Sequence, residues 1–155
     1  MSYAEDTHVP VSQTKQEVER MLKGAGARQF YVGELDDGDV IGARLGERLV
    51  RFKVIRPDHA WAKAQRKKTP NLDNLVAKEY RRRWRCLGLL IKAKLAAVAG
   101  NVRSMEEEFL ADVVMPDNRT LYESVVAGLA SAYENGKVRG PLLLGPAGLN
   151  KDKED

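Results

Sequence analysis

Side chains able to do chemistry are sparse in this chain, which has only two histidines and one cysteine among 155 residues. His8 lies near the start, and His59 lies in the stretch "DHAWAKAQRKKTPN". Neither has a nucleophile close by in sequence, so nothing points to a Ser-His-Asp relay. Cys86 follows Arg85 in an apolar helical pattern. A neighbouring cation lowers a thiol pKa, but the apolar setting favours a plain buried cysteine. Cysteine and histidine do not recur at zinc spacing. Glu106, Glu107 and Glu108 are consecutive. On a helix they point in different directions, so they read as first-turn acids favoured by the helix dipole. "GAGARQF" and "GPAG" lack the Lys-Ser/Thr ending of a phosphate loop, and the first precedes a strand pattern rather than a helix. The expectation is a non-enzymatic protein with no cofactor and no metal.

Positive charge is the sharper signal. The net charge is +4, but Trp61 to Arg85 holds nine basic residues against Asp73 and Glu79. Nine minus two leaves +7 there and −3 for everything else. A concentrated basic stretch favours polyanions, with nucleic acid ahead of an anionic membrane. Within it Arg81, Arg82, Arg83 and Arg85 surround Trp84. Trp84 falls on an apolar stripe and reads as core. Trp61 reads equally as a stacking platform for a base or as a cover over the edge of the core.

The elements that must position these residues follow from periodicity. Thr14 and Glu17 in "TKQE" have capping-box spacing, so the first helix is expected to start at Thr14 and to end at Gly24 and Gly26. "RQFYVGEL", "VIGARL" and "RLVRFKVI" alternate as strands, joined by turns at "DDGD" and "GE". Val50, Phe52 and Val54 share one face of the third strand; Ile41, Ala43 and Leu45 share one face of the second. The opposite, outer face then displays Tyr31, Arg44, Arg51 and Lys53. The basic connector before Pro70 reads as mobile chain or as a short helix. A long helix is expected from about Asn71 or Asp73 to Gly100, with Tyr80, Trp84, Leu87, Ile91, Leu95 and Val98 as its buried stripe. "SMEE" from Ser104 and "TLYE" from Thr120 are two further capping boxes. "VVM" between them reads as a brief extended piece. The second of these boxes opens a helix carrying Val125, Val126, Leu129 and Tyr133 that stops at "NG".

The fold class expected is α+β: a three-stranded antiparallel meander with a long helix packed across one face and shorter flanking helices. Residues 1–12 read as a flexible leader, 13–139 as one domain, and 140–155 as a tail whose "PLLL" docks on the body. The N-terminus lacks the pattern of a signal peptide, and no apolar run approaches membrane-spanning length. With a single cysteine, these features point to the cytoplasm and away from the membrane.

"TKQEVERMLKGAGARQF", "RLVRFKV", "RRRWRCLGLLIKAKLAAV" and "EEEFLADVVMPDNRT" together resemble a widespread group of small phage and prophage proteins. These share an Arg-Trp-Arg block, an Ile-Lys-Ala-Lys-Leu helix and a Glu-Glu-Phe-Leu helix in this order. The resemblance covers most of residues 14–124. It implies a phage origin, the host cytoplasm, and a role in viral DNA metabolism or host takeover; it brings no catalytic residues. Gly88 stands where that pattern expects a larger apolar side chain, which implies looser helix packing. The order helix, three strands, helix is also similar to the core of single-strand annealing proteins, whose rings hold DNA in a basic groove between sheet and helix.

Nucleic-acid binding, DNA before RNA, is thus the leading expectation. The residues expected to carry it are Tyr31, Arg44, Arg51, Lys53, Trp61, Arg66, Lys67, Lys68, Arg81, Arg82 and Arg85. The alternative is a protein-interaction module that inhibits or recruits a host or phage protein, or that self-assembles into a homo-oligomer.

Overall fold

The computed structural model describes residues 3–4, 6–65 and 71–142. The chain runs α1 (Val11–Gly24), β1 (Arg28–Leu35), β2 (Gly38–Leu45), β3 (Arg48–Ile55), α2 (His59–Ala64), α3 (Leu72–Ala99), α4 (Met105–Phe109), a 3-10 turn (Leu110–Asp112) and α5 (Leu121–Asn135). The strands form one antiparallel sheet in the order β1-β2-β3, so the architecture is α+β as the periodicity predicts.

Register explains which face is buried. Ile41 pairs with Phe52 and Ala43 with Val50, and all four are buried. Opposite pairs share a face, so Tyr31, Gly42 and Arg51, aligned across the three strands, lie together on the outer side. The alternation is interrupted once. Gln29 adopts φ +52°, and a bulge between Arg28 and Tyr31 shifts the register, a local twist that side-chain pattern alone does not encode.

α3 spans the inner face. Asn71 caps it by accepting from the Asn74 N–H at 3.0 Å, and Tyr80, Trp84, Leu87 and Ile91 form its buried stripe. Twenty-eight residues at about 1.5 Å each give a rod of roughly 40 Å. Trp84 is fully buried; burying one large apolar side chain contributes about 1.5–3 kcal/mol.

One expectation needs correction. α1 begins at Val11, with Pro10 at the cap position and no side-chain cap. Thr14, expected to cap, is fully buried. It shares a face with Val18 and Leu22 at spacings of four, which places it against α3 rather than at a helix end. Before α1, Asp6 accepts from Lys78 at 2.7 Å, and the Thr7 carbonyl accepts from Arg81. Gly88 faces α1: a Cβ added there would meet Thr14 Cγ2 at 3.6 Å and Val18 Cγ2 at 4.0 Å, ordinary contact distances that leave room for a methyl group.

The remaining capping boxes form as the sequence dictates. Ser104 with Glu107 caps α4, Thr120 with Glu123 caps α5, and Gly136 in the left-handed region (φ +66°) ends α5. "VVM" is indeed extended, since Val113 bridges Val50 beside β3. No helix among the described residues is long and apolar enough to cross a membrane.

Candidate nucleic-acid interface

The arginine block occupies five helical residues, and at 100° per residue it must divide between two flanks of α3. Arg81 and Arg85 face the α1 side. Arg85 pairs with Glu17 at 2.5 Å and reaches Thr14 Oγ1 at 3.5 Å. The bond from Glu17 raises the Arg85 pKa, fixing its charge in a structural contact. Arg81 donates to the Thr7 carbonyl. Arg81 and Arg85 thus lie on the flank away from the groove; Arg85 is paired with a carboxylate, whereas Arg81 meets only a neutral carbonyl.

Arg82 and Arg83 face the opposite flank, beside the free edge of β3. A groove there is lined by Lys53, Val54, Ile55, Arg82, Arg83, Cys86, Leu87 and Leu90, with a volume of about 450 Å³. It continues past Lys53, Leu87 and Leu90 to Arg51, Phe52, Ala111, Asp112 and Tyr122. Its floor is apolar. Cys86 is half-buried at its side, more open than its apolar sequence neighbours imply, and lies 3.7 Å from Arg82 Nη1.

Glu79 governs the charge of this flank. Both of its oxygens accept from Arg82 at 2.7 Å, and one also accepts from Arg83 at 3.1 Å. Burial pushes the Glu79 carboxyl up, but the two guanidiniums outweigh it and hold the carboxyl below its ordinary range. Further along, Glu123 faces both Arg51 at 3.3 Å and Lys53 at 3.6 Å. Its pKa is lowered chiefly by the Thr120 backbone N–H and then by those two cations. Among the described residues, Arg51, Lys53, Arg82 and Arg83 thus share the carboxylates of Glu79 and Glu123. Lys53 is the most open of the four, at 45% side-chain exposure; Arg82 and Arg83 are near 30%, and Arg51 is 12%. Arg51 is further bound by Asn118 Oδ1 and the Asn118 carbonyl, so it braces the turn before α5 and is not available as expected.

The ratio is even at the far end of the groove, where Lys94 and Arg103 face Glu108 and Asp112. There Lys94 serves both Glu108 at 3.7 Å and Asp112 at 3.5 Å. Burial pushes the Asp112 carboxyl up despite Lys94. The basic end is consequently the Lys53–Arg82–Arg83 end.

Trp61 closes that end. Asp58 caps α2 by accepting from the Trp61 N–H at 2.7 Å, so the connector is a short helix there. The Arg83 guanidinium lies 5.6 Å from the centroid of the Trp61 ring and also donates to the Ile55 carbonyl at 2.9 Å. Trp61 is half-buried: one part covers the protein, as one expectation held, and the remainder is accessible. Arg66, Lys67 and Lys68 lie outside the described residues.

Tyr31 and Arg44 occupy a separate place on the outer sheet face. The Tyr31 ring lies over Gly42, where an added Cβ would come within 2.0 Å of Cε1. That glycine makes the slot in which the ring lies against the sheet. Arg44 is held by neutral acceptors, Gln29 Oε1 at 2.8 Å and the Glu47 carbonyl at 3.3 Å.

Sequence reasoning missed Arg83, and it missed the division of the block. The spacing from Glu79 to Arg82 and Arg83, three and four residues, is the signal that would have found both. No group of three or more His, Cys, Asp or Glu side chains among the described residues is placed to hold a metal ion.

Fold and groove define a small α+β protein with a basic, apolar-floored cleft at a sheet edge. No protein-family model, curated protein or solved structure matches the chain.

Proposed function

We propose that the protein is a non-enzymatic nucleic-acid-binding protein that holds a single strand, DNA before RNA, at the basic end of the β3–α3 groove. The observation that carries this reading is the gathering of Lys53, Arg82 and Arg83 along one groove with an apolar floor, beside a partly accessible indole. Lys53, Arg82 and Arg83 contact phosphates, and Trp61 offers a ring on which a base stacks. The connector after Trp61 adds Lys63, Arg66, Lys67 and Lys68 in sequence. Tyr31 and Arg44 form a second, smaller platform on the outer face. The resemblance to small phage and prophage proteins supports a place in viral DNA metabolism in the host cytoplasm.

Three phosphate contacts limit the electrostatic term, so binding releases about two to three counterions. Labelled single- and double-stranded oligonucleotides, titrated at two salt concentrations, test the proposal. Expected are tighter binding of the single strand, a shallow salt slope, and severalfold weakening by Lys53→Ala with Arg82→Ala. Absence of binding at low salt overturns it.

The second reading, a protein-interaction module, draws on a different observation: α5 leaves Tyr122, Val126, Leu129 and Tyr133 exposed.

A further inference from the structure

The groove beside β3 has two halves that share Lys53, Leu87 and Leu90. The half toward Trp61 holds Arg82 and Arg83. The half toward α5, about 340 Å³ in volume, is lined by Arg51, Phe52, Asp112, Tyr122 and Glu123 among others. Charges in this second half are engaged with one another. Arg51 is bound to Glu123 and to Asn118, and Asp112 faces Lys94. A phosphate placed there would meet two carboxylates beside Arg51. What this half turns outward instead is the ring of Tyr122, 57% exposed, together with the half-exposed side chain of Leu90.

The backbone that carries Tyr122 is fixed to the sheet. The Leu121 N–H donates to the Val113 carbonyl at 2.8 Å, and Val113 bridges Val50 of β3. Thr120 and Glu123 close a capping box around the same turn. A tyrosine held this way offers a large contact area with only two side-chain torsions to immobilise.

The order along the groove is ring, cations, ring. Trp61 stands at one end with the Arg83 guanidinium 5.6 Å from its centroid, Arg82, Arg83 and Lys53 follow, and Tyr122 stands at the other end. A single strand repeats the same alternation, since its phosphates link bases that are free to turn aside. The bases of a duplex are paired and stacked on one another, so they reach neither ring. Val54, Leu87 and Leu90 between the rings carry no hydrogen-bonding side-chain group, so this floor does not read base edges.

We propose that Tyr122 is a second stacking platform of the groove. The ligand is an unpaired stretch of nucleic acid with one base on Trp61, another on Tyr122, and the phosphates between them at Arg82, Arg83 and Lys53. The inference rests on the nucleic-acid reading, which places no base in this half. It makes an unpaired, splayed strand the recognised feature, whatever its sequence.

The test titrates labelled thymidine oligonucleotides of increasing length into the full chain at two salt concentrations. In the wild type, affinity is expected to step up at the length where a second base reaches Tyr122. Tyr122→Ala and Tyr122→Leu are expected to remove that step and to weaken binding about fivefold or more. Neither changes the salt slope, because neither removes a charge, whereas Lys53→Ala lowers it by about one. Tyr122→Phe keeps the ring and is expected to bind as the wild type does. So is Tyr133→Ala, on the same helix but not lining the groove. An abasic strand of equal length and charge is expected to bind the wild type no better than the thymidine strand binds Tyr122→Ala, an arm that needs no folded variant. A wild type that binds no single strand overturns the nucleic-acid reading and this inference together. A wild type that binds, with Tyr122→Leu its equal, Tyr133→Ala as weak as Tyr122→Ala, or the abasic strand held as tightly, overturns the inference alone.

Discussion

The two flanks of α3 carry the same residue type to opposite ends. On the α1 flank Arg85 has Glu17 to itself and Lys15 has Asp39 at 2.8 Å. Asp39 is buried in the sheet and also accepts from Tyr80 Oη at 2.6 Å. Burial pushes its carboxyl up, but Lys15, Tyr80 and the nearby Arg56 outweigh that and hold it below the ordinary range. On the β3 flank Glu79 and Glu123 each serve two cations. A cation with a carboxylate to itself fastens the fold; two cations on one carboxylate keep more of their field directed at the groove. What separates the flanks is the number of carboxylates within reach, and the count of arginines does not reveal it.

The largest effect expected from breaking this contrast lies on the matched flank. Asp39→Ala leaves Lys15 and Tyr80 without their buried acceptor and is expected to cost about 3–5 kcal/mol in denaturant unfolding, with oligonucleotide affinity unchanged in the folded fraction. The pH dependence has a definite sign. Because the folded-state pKa of Asp39 is depressed, its contribution is fully present above the unfolded value of about 3.9 and disappears as pH falls through the lower folded value. Unfolding measured from neutral to strongly acid pH is therefore expected to show a weaker acid loss in Asp39→Asn than in the wild type.

Next in size is the α1–α3 seam itself. Gly88→Leu overfills the contact with Thr14 and Val18 and is expected to destabilise by about 1–3 kcal/mol. Gly88→Ala places its Cβ at ordinary contact distance and is expected to gain up to about 1 kcal/mol from helix propensity. A thermal melt in which both variants lose stability would show the seam to be tighter than described.

Smaller effects sharpen the contrast from the other side. Glu79→Gln removes the negative charge shared by Arg82 and Arg83 and is expected to raise oligonucleotide affinity a few-fold at low salt, while destabilising the fold by about 1–3 kcal/mol. Arg85→Ala is expected to leave affinity unchanged, since its charge is already spent on Glu17. Equal losses of binding in Arg85→Ala and Arg82→Ala would erase the distinction between the flanks.

Much of this molecule is legible in its residues because local rules dominate where periodicity is long or caps are complete. α3 begins at Asn71 and buries Tyr80, Trp84, Leu87 and Ile91 as its spacing requires. The β2–β3 register follows from alternation, and Ser104 and Thr120 cap as their partners three residues on dictate. Thr14 misled because a capping-box pattern also fits a residue one helical turn inside, and only contact with α3 distinguishes the two. The apolar stripe of α5 was legible, but the exposure of Val126, Leu129 and Tyr133 was not, because periodicity marks a face without naming what covers it.

The sequence alone determined the α+β order, the meander, the long helix and the presence of a strongly basic segment; each rests on interactions among residues close along the chain. The tertiary structure decided which arginines remain available, through Glu17 some seventy residues before Arg85 and Glu123 seventy-two residues beyond Arg51. Ion pairing depends on distances in space, and a carboxylate brought in from a remote segment cancels a charge that its own neighbourhood leaves free.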